Sequence, residues 1–181
     1  EAEGKLVASY QEQPPDGAHA WLRTDRLPFI SYPYEWCFGQ LKDAALLTLE
    51  LAATALEHGM SLKDASAFNV QFDRGHPVFV DLLSFERYVP NEPWVAYRQF
   101  CQHFLAPLAL WAYTDPRTAW LWRGSLDGVP LDLASSLLPA KTKFSPGLGA
   151  HIHLHAKTVN STAGIQKSQP RVSVTGLKAL L

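Results

Sequence analysis

Residues 62–86 read LKDASAFNVQFDRGHPVFVDLLSFE, and this stretch decides how the rest of the chain is interpreted. Two short runs rich in β-forming residues, 70–72 and 78–80, are separated by a segment centred on Gly75. Glycine adopts the backbone conformations that tight turns need, while β-branched and aromatic residues favour strands. The stretch therefore predicts a β-hairpin.

Three polar residues frame this hairpin. With the turn centred near Gly75, antiparallel pairing brings Asn69 opposite Asp81 at the open end. Their oxygens suit Mg²⁺, which binds one or two protein oxygens and completes its shell with water and substrate phosphates. Asp64, on the loop leading in, is placed to accept a proton from a hydroxyl nucleophile. The alternative is that these side chains only cap turns.

A long helix is predicted over residues 38–58, FGQLKDAALLTLELAATALEH, because strong helix formers are followed by Gly59 as a C-cap. Its polar side chains fall within about 60° of the helix circumference, and the rest is mostly apolar. We therefore expect it to be buried on nearly every side, at the centre of a helical lobe. The polar residues are Asp43, Glu50, Thr54 and Glu57.

The other elements are predicted from turn and start signals. Residues 5–10 and 20–23 form a hairpin, and the proline-bracketed run 27–34 is a connector between subdomains. A helix begins at Asn91 as N-cap and runs to Tyr113. Further signals are a kink at Pro107, a helix start at Asp115-Pro116, and a helix over 131–138 stopped by Pro139.

Composition excludes several classes of partner. The 181 residues include 16 basic and 17 acidic ones, so no overall field attracts nucleic acid or anionic lipid. No uncharged apolar run reaches 18 residues, and no membrane span is expected. Cys37 and Cys101 lie far apart without metal-ligand spacing, and the first residues lack a signal-peptide pattern. These features favour a cytoplasmic protein.

The polar residues have a spacing that resembles the protein-kinase-like superfamily. Residues 64–69, DASAFN, match its D-x-x-x-x-N catalytic loop, and 78–81, VFVD, look like the strand carrying its second, metal-binding Asp. The resemblance implies that Asp64 is the catalytic base, that Asn69 and Asp81 bind Mg²⁺, and that the nucleotide is ATP.

Several positions depart from the Ser/Thr kinase pattern. Leu62-Lys63 stands where His-Arg is usual, and Ser66 stands where Lys is frequent. Leu82-Leu83 follows the second Asp in place of Phe-Gly. These features are more similar to small-molecule kinases of the aminoglycoside-phosphotransferase kind, which implies a hydroxyl of a small molecule or of a partner as phosphate acceptor.

The resemblance also implies contacts with the nucleotide. Residues 29–36, FISYPYEW, resemble the hinge whose backbone meets adenine, so Tyr34 and Glu35 are candidate cofactor-binding residues. Lys63 and Ser66, on the catalytic loop, are candidates for contacts with phosphate or substrate. Alternatives stay open: Lys63 lies in solvent, Ser66 bonds the turn, and Glu35 caps the following helix.

Together these patterns predict an α+β, protein-kinase-like fold with a mainly helical C-terminal lobe and a small β-hairpin carrying the site. We expect partial N-terminal strands and the hinge in residues 1–35, the helical lobe in 36–155, and a linker or loosely attached tail in 156–181. The glycine-rich loop, the V-A-I-K strand and an assignable helix-C Glu are absent from the sequence. Either they precede Glu1 in a longer protein, or the domain is kinase-shaped without transferring phosphate.

A second resemblance covers residues 31–72, SYPYEWCFGQLKDAALLTLELAATALEHGMSLKDASAFNVQF. It looks like the N-terminal region of bacterial proteins labelled class I S-adenosylmethionine-dependent methyltransferases, where such a region precedes the methyltransferase domain. The implied alternative function is a non-catalytic, kinase-like binding or regulatory domain. S-adenosylmethionine would then bind only to a domain outside this chain.

Residues 151–155, HIHLH, leave two interpretations open. On a strand the alternate imidazoles share one face and are typical of a Zn²⁺ site. On a helix only His151 and His155 are neighbours. No fourth ligand has a matching spacing, so a zinc site is the less favoured interpretation.

Overall fold

Short strands pair two by two in this protein. The computed structural model describes residues 4–157. Within them the strands are β1 Ser9–Glu12, β2 Trp21–Thr24, β3 Met60–Leu62, β4 Val70–Asp73, β5 His76–Phe79 and β6 Phe85–Arg87. All pairs are antiparallel: β1 with β2, β3 with β6, and β4 with β5.

Helices occupy more of the described chain than strands, which confirms the predicted α+β class. None of the helices in residues 4–157 combines the length and the apolar character that crossing a bilayer requires. The α-helices are α1 Phe38–Glu57, α2 Tyr97–Phe100, α3 Ala106–Tyr113, α4 Leu131–Leu137 and α5 Pro146–Leu148. π-helical turns cover Cys101–Leu105 and Gly149–Leu154, and 3-10 turns cover Pro33–Glu35, Ala67–Asn69, Leu82–Ser84, Pro116–Gly124 and Ala140–Phe144.

The long helix α1 confirms its prediction. It ends at Glu57, and Gly59 follows with a φ of 70°, the left-handed conformation of a helix C-cap. The four polar residues of its predicted solvent face are exposed, and eight of the other sixteen residues are buried. Burial is therefore less complete than predicted, and among the apolar side chains Leu46 is 51% exposed.

Two hydrophobic clusters hold the helical part together. The first surrounds α1 and includes Leu62, Phe79 and Trp94, so it packs the predicted site hairpin onto the helix. The second is formed by residues of α3, α4 and the segment 148–156, with Ile152 fully buried. The buried apolar side chains of the first cluster therefore support the backbone around the hairpin.

The N-terminal hairpin exists with different boundaries from those predicted. Residues 5–7 do not belong to it: Phe79 donates its N–H to the Lys5 carbonyl at 2.8 Å, and Val7 donates to the Phe79 carbonyl at 2.9 Å. The Pro/Gly-rich turn is longer than predicted because pairing begins only at Glu12 and Trp21. The first residues thus tie the N-terminal segment to β5 of the site hairpin.

The helix predicted from Asn91 begins later, at Tyr97. Asn91 has a φ of 68°, a left-handed conformation that asparagine tolerates in turns and that differs from the extended backbone typical of an N-cap. The indole N–H of Trp94 donates to the Leu62 carbonyl at 2.6 Å. This contact holds the segment before Tyr97 against β3, so the prediction of an N-cap at Asn91 is wrong.

Residues 97–113 form one continuous helix. We call it the loop-facing helix because its Gln99 and His103 side chains contact the loop backbone at Ala65 and Ala67. Its irregularity is the π turn Cys101–Leu105, which ends two residues before Pro107. Proline lacks an N–H and its ring displaces the carbonyl four residues earlier, so wider hydrogen bonding relieves the strain. The irregularity predicted at Pro107 therefore takes the form of a widened turn.

Two further start signals are confirmed. Asp115 caps the turn Pro116–Gly124, since its carboxylate accepts from the Arg117 N–H at 2.8 Å. Helix α4 covers the predicted segment and stops before Pro139. Residues 158–181, which make up nearly all of the predicted tail 156–181, lie outside the described residues.

Candidate functional site

The segment between β3 and β6 forms a closed loop. Leu62 pairs with Phe85, and the Lys63 N–H donates to the Ser84 carbonyl at 2.8 Å, which extends the pairing by one step. The hairpin β4–β5 lies inside this loop, with Asp64 before it and Asp81 after it. Closure of the loop therefore returns the chain after the hairpin to the place where it entered.

The hairpin is confirmed, but its register differs by one residue from the prediction. Val70 pairs with Phe79, and the Val80 N–H donates to the Asn69 carbonyl at 2.8 Å. Arg74 and Gly75 have φ values of 48° and 85°, as a two-residue turn with both central residues left-handed requires. The turn is centred between them, so the prediction of Asn69 directly opposite Asp81 is wrong.

Ser84 nevertheless joins the two predicted metal ligands. The Asn69 Nδ2 donates to Ser84 Oγ at 3.1 Å, and Ser84 Oγ donates to Asp81 Oδ2 at 2.8 Å. Ser84 is 1% exposed, so both bonds are shielded from water. The sequence offered no signal for this role, because an isolated Ser three residues after an Asp is a common turn residue.

The donor set of this network fits a hard cation. Because the Asn69 Nδ2 is used as a donor, its Oδ1 stays available as a ligand. Asp81 accepts one hydrogen bond at each oxygen, from Leu83 N–H and from Ser84, and each oxygen retains a second lone pair. No group of three or more His, Cys, Asp or Glu side chains within residues 4–157 is arranged to hold a metal. The oxygens of Asn69 and Asp81 are of the kind that Mg²⁺ takes as ligands, with water and phosphate completing its shell, and a magnesium site here stays a prediction.

Asp64 belongs to the same network. Its Oδ1 accepts from the Ser66 N–H and from the Gln99 Nε2, each at 2.9 Å. Its backbone carbonyl lies 3.5 Å from the Asn69 Nδ2. The structure thus brings together the three residues that the sequence singled out, Asp64, Asn69 and Asp81.

Gln99, on α2, is a site residue that the sequence interpretation missed. Its Nε2 donates to Asp64 Oδ1, while its Oε1 accepts from the Ala65 N–H at 2.8 Å. Gln99 lies 35 residues after Asp64, so the contact depends on how the loop-facing helix packs. No local pattern in the sequence marks it.

Lys63 and Ser66 have the environments that the alternative interpretations predicted: Lys63 lies in solvent and Ser66 bonds the turn. The Lys63 side chain is exposed, and its backbone N–H pairs with Ser84. The Ser66 Oγ accepts from the Phe68 N–H at 3.3 Å and so caps the turn Ala67–Asn69. Their assignment to cofactor contacts stays a prediction.

A cleft of about 380 Å³ lies beside the hairpin. It includes Val80, the residue directly before Asp81, and Gln71 of β4. The N-terminal segment supplies the other walls, so the cleft separates the N-terminal strands from the site hairpin. Its residues are Val7, Thr24, Asp25, Arg26, Leu27, Ile30, Gln71 and Val80.

Tyr34 and Glu35, the candidate hinge residues, do not line this cleft. The Glu35 carboxylate accepts from the Tyr32 N–H at 2.8 Å and so caps its own turn, Pro33–Glu35, rather than the following helix. The Tyr34 ring stacks on Tyr32 with 5.4 Å between centroids. Helix α1 is capped instead by Gln40, which accepts from the Cys37 N–H at 3.0 Å.

His103 is a buried polar residue beneath the loop. Its Nδ1 lies 3.3 Å from the Ala67 nitrogen, whose N–H requires the ring to be neutral at that atom. Burial lowers the pKa of His103 to about 4, although nearby Asp64 and Asp127 act in the opposite direction. The ring also packs edge-to-face on Trp122. His103 therefore supports the loop in its uncharged form.

This burial predicts a loss of stability in acid. The unfolded chain protonates His103 near pH 6.5 and the folded chain near pH 4, so stability falls as the pH drops through this window. The loss from His103 amounts to roughly 3 kcal/mol at its full extent. Urea unfolding at pH 7 and pH 4.5 should show a clearly smaller pH effect in His103→Gln than in wild type.

The exposed His58 offers a matched control, because His58→Gln should keep the wild-type pH effect. Some pH effect should remain in His103→Gln, because burial also lowers the pKa values of three other histidines. They are His151, His153 and His155. An unchanged pH effect in His103→Gln would contradict the assignment.

The HIHLH segment is helical, which rules out the strand arrangement of its three imidazoles. His151 contacts the Tyr97 hydroxyl, and the His155 ring stacks on Tyr97 with 5.0 Å between centroids. His153 points elsewhere, since its two ring nitrogens lie 2.8 Å from the hydroxyls of Ser135 and Thr142. These histidines pack the helices together.

Comparison with known proteins finds similarity to a bacterial protein. No protein-family model matches the chain, and no solved structure matches it. Over 158 residues, 87% of the chain, the sequence is 41% identical to nodulation protein NoeA of Rhizobium meliloti (strain 1021). The chain spans about a third of the length of that relative, 32%. Activity, substrates and partners of the whole protein are therefore matters for proposal.

Proposed function

We propose that this protein is a kinase-like phosphotransferase that binds ATP with Mg²⁺ and transfers phosphate to a hydroxyl of a small molecule or protein partner. The network that joins Asp64, Asn69 and Asp81 carries the proposal. Asp64 and Asp81 each accept from a backbone N–H two residues further on, as turn caps do. In addition, side chains from both ends of the hairpin, Asn69 and Asp81, meet at the buried Ser84, and the Asn69 Nδ2 lies 3.5 Å from the Asp64 backbone carbonyl.

Each residue has a distinct role in this proposal. The oxygens of Asn69 and Asp81 hold the cation, and Ser84 keeps the two side chains in position. Bound Mg²⁺-ATP supplies the transferable phosphate and a neutralising charge. Asp64 accepts the proton of the attacking hydroxyl.

The cleft beside the hairpin is the proposed site of the adenine base. Val7, Leu27, Ile30 and Val80 give it apolar walls suited to a flat aromatic ring. Val80 directly precedes Asp81, so the cleft adjoins in sequence one of the proposed cation ligands. In this proposal, contacts at residues 24–30 take precedence over those suggested for Tyr34 and Glu35.

A second candidate is a non-catalytic, kinase-like domain attached to a methyltransferase. Kinases use a Lys in a V-A-I-K strand to hold the nucleotide phosphates, and this motif does not occur in the 181 residues. The bacterial relative extends well beyond the matched region, which leaves room for a further domain. In that case S-adenosylmethionine binds outside this chain. The domain described here then presents substrate to the attached methyltransferase or regulates it.

Calorimetry of ATP binding to the full-length protein, with and without Mg²⁺, tests the proposal. Ile30→Asp should weaken Mg²⁺-ATP binding at least about tenfold, because it puts a carboxylate in the apolar wall that the base covers. Ile30 is 52% exposed, so the folded state tolerates the change.

The control is Val89→Asp, at a similarly exposed loop position (50%) that does not line the cleft. It should bind as wild type does. Absence of Mg²⁺-dependent ATP binding in the full-length wild type would refute the phosphotransferase proposal. Equal binding by both Asp variants would refute the assignment of the cleft.

A further inference from the structure

We propose that Gln99 is a positioning residue that orients the Asp64 carboxylate so that Oδ2, and not Oδ1, accepts the proton from the acceptor hydroxyl. This inference rests on the proposed phosphotransferase function. It assigns a role to a residue on a distant helix and identifies which oxygen of the base reacts.

The side chain of Gln99 forms a two-point clamp. Its Oε1 accepts from the Ala65 N–H at 2.8 Å, and its Nε2 donates to Asp64 Oδ1 at 2.9 Å. One amide group thus fixes both the backbone after Asp64 and the carboxylate itself. Because an amide is planar, the two contacts also define the rotation of the Asp64 side chain.

His103 extends the clamp by one helical turn. It follows Gln99 by four residues on the loop-facing helix, so both side chains project from the same face. The Ala67 N–H points to His103 Nδ1 at 3.3 Å, two residues beyond the amide held by Gln99. The loop is therefore attached to the helix at alternate residues, Ala65 and Ala67.

Hydrogen bonding distinguishes the two oxygens of Asp64. Oδ1 accepts from both the Ser66 N–H and Gln99 Nε2, whereas no donor within residues 4–157 bonds to Oδ2. An oxygen with two donors has its lone pairs engaged, so the proton goes to the other oxygen. In the proposed reaction the O–H bond of the acceptor breaks and its proton moves to Oδ2. The electron pair of the acceptor oxygen forms the new bond to the γ-phosphorus of ATP, and the bond from that phosphorus to the β-phosphate oxygen breaks, so that ADP leaves.

Two substitutions of Gln99 separate positioning from packing. Gln99→Glu keeps the shape and the acceptor for Ala65 but replaces the donor with an oxygen facing Asp64 Oδ1. Gln99→Met keeps the length and removes both hydrogen bonds. Gln99 is half-buried, and both replacements have nearly its volume.

In steady-state assays with saturating Mg²⁺-ATP, we expect kcat to fall about tenfold in Gln99→Met, with the KM for ATP within about twofold of wild type. In Gln99→Glu an oxygen faces Asp64 Oδ1 in place of the donor, so we expect kcat to fall at least about tenfold there as well, although the hydrogen bond from Ala65 is kept. A residue that only supported the fold would not lower kcat in a variant that keeps this hydrogen bond. Gln102→Met, on the same helix, is the control and should leave both kcat and the KM for ATP unchanged.

Amide hydrogen exchange in the nucleotide-free protein gives a readout that needs no activity. Exchange at Ala65 should accelerate about tenfold or more in Gln99→Met, and stay near the wild-type rate in Gln99→Glu and Gln102→Met. If the wild type turns over and Gln99→Met changes neither kcat nor Ala65 exchange, the inference about Gln99 is wrong. If the wild type neither binds Mg²⁺-ATP nor turns over, the proposed function is wrong and Oδ2 has no role as a base, whatever Ala65 shows.

Discussion

An Asp64→Asn variant is expected to transfer phosphate about a thousandfold more slowly than wild type while binding Mg²⁺-ATP within about threefold of the wild-type affinity. Asparagine keeps the oxygen that accepts from the Ser66 N–H, so the loop retains its geometry. What disappears is the ability to take up a proton. Turnover assays combined with calorimetry measure the two effects separately.

Asp81→Asn provides the matched contrast, since it removes one negative charge from the other end of the same network. Its Oδ1 can still cap the turn Leu82–Ser84 by accepting from the Leu83 N–H. Replacing Oδ2 by an amide nitrogen removes the negative charge and the acceptor of the Ser84 hydroxyl, which should weaken the Mg²⁺-dependent part of ATP binding by about 100-fold. If Asp64→Asn and Asp81→Asn impair binding equally, or neither impairs turnover, the separate roles of base and metal ligand are wrong.

A Gly128→Ala variant is expected to lose about 3 kcal/mol of the free energy of unfolding. Gly128 has a φ of 81°, and a Cβ there would lie 2.6 Å from the Gln102 carbonyl oxygen and 3.0 Å from His103 Cδ2. That carbonyl also accepts from the Val129 N–H at 2.9 Å. The methyl group must therefore displace the widened turn of the loop-facing helix. Urea unfolding measures the loss.

Gly17→Ala separates the backbone strain from the steric clash. Gly17 has a φ of 85°, close to that of Gly128, but nothing lies within 4 Å of the position of its Cβ. It should cost only about 1 kcal/mol. Equal losses in the two variants would show that the close approach of Gly128 to Gln102 contributes nothing. Because His103 adjoins this contact, Gly128→Ala should also accelerate amide exchange at Ala67.

Local patterns predicted the elements whose formation depends on neighbouring residues. Helix α1 follows from a run of helix formers before Gly59, and the hairpin β4–β5 follows from two β-prone runs around a glycine turn. The spacing also identified Asn69 and Asp81, whose side chains are joined through Ser84, and Asp64, whose backbone carbonyl lies 3.5 Å from the Asn69 Nδ2. Each of these depends on contacts within about 20 residues of chain.

The failures have physical causes as well. The hairpin register changed by one residue because Arg74 shares the turn with Gly75, and a non-glycine residue with a φ of 48° is difficult to foresee. The helix start at Asn91 failed because Trp94 reaches the Leu62 carbonyl, a contact 32 residues away in sequence. A tertiary hydrogen bond thus overrode a local start signal.

The sequence by itself determined which residues carry the proposed chemistry, because turn formation and oxygen-ligand chemistry are properties of a short segment. Only the tertiary structure decided what supports and surrounds them. Ser84 joins Asn69 to Asp81 because β3 and β6 close the loop. Gln99 reaches Asp64 because the loop-facing helix packs against the segment that carries Asp64. The cleft exists because Ile30 and Val80, which are far apart in sequence, line the same cavity. These contacts depend on hydrophobic packing between segments far apart in sequence, which no local spacing encodes.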